Sequence, residues 1–130
     1  MRNIAATWLF MFSAGVSAAS AQEMTGDAAA GATVFKACAA CHFADRPANK
    51  IGPYLKGVVG RPVASIEDYD YSEAMKEYGA DGKSWDVQIL SRYLAAPRGT
   101  VPGIKMSFPG LKDEKDIADV IAFLVSTDQE

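Results

Sequence analysis

The stretch CAACH, residues 38–42, holds both cysteines of the chain and its only histidine. Two thiols and an imidazole packed into five positions must all serve one local structure, and few chemistries use them so. A thioredoxin-type redox pair sits at the start of a helix that follows a strand, where the helix N-terminus lowers the thiol pKa. Here the cluster closes a helical pattern, and no strand pattern lies nearby. Zinc asks for four ligands, whereas Cys38, Cys41 and His42 are the only Cys and His side chains available. A plain disulfide beside a surface histidine is a third use.

The fourth use is covalent haem attachment. In C-x-x-C-H the two thiols add to the haem vinyl groups, and the imidazole that follows binds the iron. The rest of the chain bears on the choice. From His42 to about Tyr69 the sequence is broken by Pro47, Gly52, Pro53, Gly57, Gly60 and Pro62, and no hydrophobic period survives. So long a stretch without regular structure is unusual in a compact domain unless it wraps something. Haem explains both the cluster and the loop; the disulfide, zinc and dithiol uses stay open as alternatives.

Helical patterns flank the loop. Glu23 to about Ala40 reads as a helix capped by Asp27, with Val34, Phe35 and Cys38 on one face. Ser72 to Tyr78 reads as a short helix. Ser84 is the expected cap of a firmer one, in which Trp85, Ile89, Leu90, Tyr93 and Leu94 share a face and Pro97 ends the run. The last helix begins at Asp113, with Asp116 placed as in a capping box and Ile117, Val120, Ile121 and Leu124 as its buried stripe. The expected fold is all-α, three to four short helices with long loops. Such helices bury too little surface to pack well alone, so a cofactor is expected to complete the core.

The N-terminus reads as a leader. MRN is followed by the 13-residue apolar run IAATWLFMFSAGV and by a small-x-small site, Ala19-Ser20-Ala21. Spanning a bilayer takes about 20 apolar residues, so a cleaved signal peptide over 1–21 fits better than an anchor. The remaining domain, 22–130, is then exported to the periplasm. Losing Arg2 with the leader leaves 12 basic and 16 acidic side chains, a net charge of −4. That balance is unsuited to gripping nucleic acid or anionic lipid.

If iron is bound, it has a second axial position to fill. Met24 lies near the free terminus and Met75 in a short helix, and a lone methionine usually fills core. Met106 differs, because it stands in the loop PGIKMSF, where rigid turns can present a thioether inward. His-plus-Met ligation raises the haem potential and suits electron transfer.

With these residues in view, the chain resembles class I cytochrome c over almost the whole of 22–130. GDAAAGATVFKACAACH resembles that family's first helix and attachment site, with Gly31 and Phe35 where Val120 and Phe123 of the last helix would cross. GPYLKGVVGR is similar to the loop on the histidine side of the haem, and WDVQILSRYLAAPRGTVPGIKMSFPGL to the segment that carries the methionine. The resemblance implies one haem c held by thioethers from Cys38 and Cys41, with His42 and Met106 on the iron. It implies that the Pro53 carbonyl orients His42 and that the Tyr93 hydroxyl faces the Met106 sulfur. Arg61, Tyr71, Ser72 and Trp85 would hold the propionates. It further implies a monomeric electron carrier, not an enzyme, meeting donor and acceptor redox proteins in weak complexes. Departures from the family pattern are Met75 in place of the usual Asn, one residue fewer between His42 and Gly52, and a thinned basic ring. Of that ring Lys36, Lys50, Arg98, Lys105 and Lys112 remain, interrupted by Ala37, Asp113 and Glu114.

Overall fold

Asp27 starts the first helix as its sequence suggests. In the computed structural model, which describes residues 25–129, its carboxylate accepts from the Ala29 and Ala30 N–H groups and opens α1, Ala28–Phe35. The expected leader, residues 1–21, lies outside the described residues. Four more helices follow: α2, Glu73–Tyr78; α3, Val87–Ala95; α4, Pro97–Thr100; and α5, Glu114–Ser126. No strand is present among the described residues, only an isolated bridge between Pro62 and Ser84.

Three boundaries differ from expectation. α1 ends at Phe35, five residues early, although Ala37, Ala39 and Ala40 would favour more helix. From there the chain tightens into turns, with Cys38 N–H on Phe35 O (2.8 Å) and Cys41 and His42 N–H both on Cys38 O (3.0 Å). Asp86, not Ser84, caps α3, accepting from the Ile89 N–H at 2.7 Å. Trp85 lies before that helix, in extended backbone: its N–H donates to Arg61 O (2.9 Å) and its carbonyl accepts from Gly60 N–H (2.8 Å). Pro97 does end α3, but it also starts α4, where its fixed φ and missing N–H suit a first helical position. The count among the described residues is therefore five, one of them a single turn.

The core is built where α1 crosses α5. Gly31 lies so close to α5 that a Cβ there would sit 1.9 Å from the Asp119 carbonyl oxygen and 2.8 Å from the Phe123 Cβ. The Phe35 and Phe123 rings meet across the crossing at 5.2 Å. All four stripe residues of α5 are buried, Val120 and Ile121 most fully. Asp113 caps α5 through the Lys115 N–H (2.8 Å). No bond from Asp116 back to Asp113 appears among the described residues.

Asp119 is the one charged residue in this core, 3% exposed. Its carboxylate accepts from the Asp27 N–H (2.8 Å) and pairs with the Lys115 ammonium, which ties the start of α1 to the middle of α5. Those contacts, the Asp27 N–H first, hold the carboxyl below its usual range. A depressed pKa of this sort stabilises the fold above the ordinary aspartate value and loses that contribution as pH falls through the folded one. Asp119→Asn keeps an acceptor but cannot titrate. Its unfolding midpoint should therefore fall less steeply than that of the unaltered protein on acidification from about pH 6 to about pH 3. Parallel declines in denaturant titrations at each pH would remove Asp119 from the acid sensitivity.

Candidate haem site

The turn that ends α1 brings Cys38, Cys41 and His42 together at the edge of the core. The two cysteines are half-buried and not joined to each other. Burial, and then the neighbouring Cys41, push the Cys38 thiol above its ordinary pKa. That is the opposite of what a thiolate redox pair needs. Among the described residues no group of three His, Cys, Asp or Glu side chains is arranged to hold a metal ion.

His42 is held firmly. Its Nδ1 lies 2.7 Å from the Pro53 carbonyl oxygen. A carbonyl can only accept, so Nδ1 carries the proton and the Nε2 lone pair is left free. Burial pushes the imidazole pKa down, favouring the neutral ring that a metal requires. Gly52 packs against the same ring: a Cβ on it would fall 2.3 Å from His42 Cε1 and under 3 Å from both nitrogens. Gly52 and Pro53 were legible as breaks in a long loop, but nothing in the sequence announced that the glycine is there to admit an imidazole.

Arg61 reaches into the same region. Its terminal nitrogens donate to the carbonyls of Lys56 (3.2 Å) and Tyr54 (3.0 Å), while its Nε is buried with no protein partner. An unpaired buried donor on a cation costs about 1–3 kcal/mol or more. An acidic group of a bound molecule would satisfy it. Tyr71 and Ser72 are half-buried, and their hydroxyl oxygens accept from the Ile66 N–H (3.4 Å) and the Met75 N–H (3.1 Å). Accepting leaves each hydroxyl proton available for a further acceptor. Trp85 is buried, with the rings of Tyr93 at 4.9 Å and Tyr78 at 6.1 Å. Tyr93 is buried too, and that burial raises its pKa to about 12. Met106 is half-buried and packs against the same core. Met75 is buried in α2 as an apolar core residue.

The residues thus fit a haem on three counts: a paired-cysteine turn, a neutral imidazole with its outer nitrogen free, and a buried guanidinium short of an acceptor. The cytochrome c family model matches residues 28–128. The chain belongs to the cytochrome c family. Cytochrome c-550 of Ancylobacter novellus is 48% identical over 97 residues, which cover 74% of this chain and 91% of that protein. Cytochrome c2 of Blastochloris viridis is 41% identical over 117 residues, covering 89% and 87% respectively. The solved structure of cytochrome cH from Methylobacterium extorquens superposes with a TM-score of 0.70 at 44% identity. It covers 78% of this chain and 99% of that one. This cytochrome is a class I bacterial member, with the all-α fold and the covalent haem c of its family, and an electron carrier rather than an enzyme.

The remaining cations of the cytochrome are only partly free. Lys105 pairs with Asp70 (3.1 Å), and the Lys50 ammonium donates to Ala39 O (2.7 Å). Lys36, Arg98 and Lys112 are exposed. No helix among the described residues is long and apolar enough to cross a membrane.

Proposed function

We propose that this cytochrome is a periplasmic, monomeric one-electron carrier whose iron is held between His42 and Met106. The observation that carries the reading is the fixed tautomer of His42, with Nδ1–H committed to Pro53 and Nε2 left as the donor. Bound haem supplies a one-electron ferric–ferrous couple. The chain supplies the rest. Cys38 and Cys41 tether the group, so it cannot be lost outside the cell. Donating Nδ1–H to the Pro53 carbonyl makes His42 a better electron donor and fixes its ring plane. Met106 would offer its thioether as the second axial ligand, and Tyr93, whose buried hydroxyl stays uncharged at neutral pH, would be its polar neighbour.

Phe35, Leu55, Leu90, Leu94 and Leu124 lie in the apolar core or pack against it, and would form a shell that disfavours the ferric charge and raises the potential. Arg61, Tyr71, Ser72 and Trp85 would hold the propionates and offset the cost of burying their charge. The exposed cations are few in an acidic domain, which suits small interfaces that form and dissociate quickly with redox-protein donors and acceptors.

The test is the visible spectrum of the protein recovered from the periplasmic fraction, in both oxidation states, together with its N-terminal sequence. Low-spin spectra in both states, a weak sulfur-to-iron band in the oxidised form and a start at Gln22 are expected. A high-spin ferrous protein that takes up carbon monoxide rapidly would overturn the Met106 assignment.

A further inference from the structure

At the tip of the turn that presents Pro53 to His42, burial does not hold the chain, because Ile51 is 78% exposed. Hydrogen bonds must fix it instead. Gly52 N–H donates to Cys41 O (2.8 Å), Lys50 N–H to Gly52 O (2.9 Å) and the Tyr69 hydroxyl to Ile51 O (3.0 Å). Asn49 adds a bond of a different kind. Its Oδ1 accepts from the Tyr54 N–H at 3.1 Å, and its Nδ2 donates to Asp68 O at 3.2 Å. A backbone carbonyl only accepts and a backbone N–H only donates, so the orientation of this amide is fixed by its partners.

The Tyr54 N–H and the Pro53 C=O belong to one peptide group. The side-chain oxygen of Asn49 therefore pulls on one end of the peptide whose other end accepts the His42 proton. Hydrogen bonds linked through a planar amide polarise one another, and each strengthens the next. We propose that Asn49 is a positioning residue for the axial imidazole: acting through the Pro53–Tyr54 peptide, it sharpens the carbonyl acceptor and makes His42 the more electron-rich ligand. A stronger acceptor on Nδ1–H gives the ring more anionic character, which favours ferric over ferrous iron and sets the potential lower than the turn alone would. The inference rests on His42 being the axial ligand, and its test separates the two.

Asn49→Ala removes the pull on the peptide. The midpoint potential should rise, and the His42 Nδ1–H resonance of the reduced protein should move upfield and exchange faster with solvent. Asn49→Asp keeps an oxygen against the Tyr54 N–H and should hold that resonance near its original position. Tyr69→Phe is the control for mere loop tethering, because it cuts the bond to Ile51 O but leaves Asn49 and the Pro53–Tyr54 peptide untouched. It should lower the unfolding midpoint with little change in potential. Equal shifts of potential in Asn49→Ala and Tyr69→Phe, or no shift in Asn49→Ala, would overturn the proposal. If His42 in the oxidised, unaltered protein lacks hyperfine-shifted resonances, the axial assignment fails and the proposal with it. A hyperfine-shifted His42 that ignores Asn49→Ala overturns the proposal alone.

Discussion

Gly31→Ala is expected to cost the protein about 3 kcal/mol, at the upper end of what overpacking a tight core produces. A methyl group there would lie 1.9 Å from the Asp119 carbonyl oxygen and 2.5 Å from its carbon. Both are main-chain atoms inside α5 and cannot rotate away, so the whole helix must back off. Retreat strains the contacts that depend on the crossing, the Phe35–Phe123 ring pair and the bond from Asp27 N–H to Asp119. Domains of this kind hold only about 5–15 kcal/mol in total. Denaturant titration should give a lower midpoint at unchanged slope, the sign of lost stability without a change in exposed surface. A midpoint equal to that of the unaltered protein would show that α5 has room the geometry denies.

Met106→Ala should act on the iron rather than on the fold. If Met106 is the proposed sixth ligand, replacing its thioether by water or a harder donor removes the ligand that favours ferrous iron. The potential should then fall by on the order of 0.2 V, within the roughly 0.8 V over which axial ligands move haem potentials. The weak sulfur-to-iron band should vanish from the oxidised spectrum. Carbon monoxide should bind the reduced variant readily. Met106 is only half-buried, so the cavity left behind should cost less stability than Gly31→Ala does. Survival of both the band and the potential would transfer the sixth position to another residue.

What could be read in the sequence was what depends on local pattern. The stripe of α5, the Asp27 cap and the attachment turn are each written in a few neighbouring residues, and the structure has them. The end of α1 was misplaced because alanines favour helix whatever follows, and only the tertiary demand on Cys38–His42 breaks the run. Ser84 looked like a cap because serine often is one, but its stretch of backbone pairs with 60–63, a long-range contact with no local signature. At the site, the bond from His42 to Pro53 followed from the family resemblance. The roles of Gly52 and Asn49 did not. Each depends on what lies across the turn, and a turn-forming glycine or asparagine looks the same in sequence whether or not a ring faces it.

The bond between Asp27 and Asp119 joins residues 92 positions apart. The chain as far as Asp119 must therefore be delivered before α1 and α5 can meet, and everything between them is a single closed loop. Loop-closure entropy grows only slowly with length, so the delay is one of order rather than of cost. A ribosome releases the CAACH turn long before α5 exists. For that interval the thiols stand on an open chain, and the scaffold that later encloses them is missing its final wall.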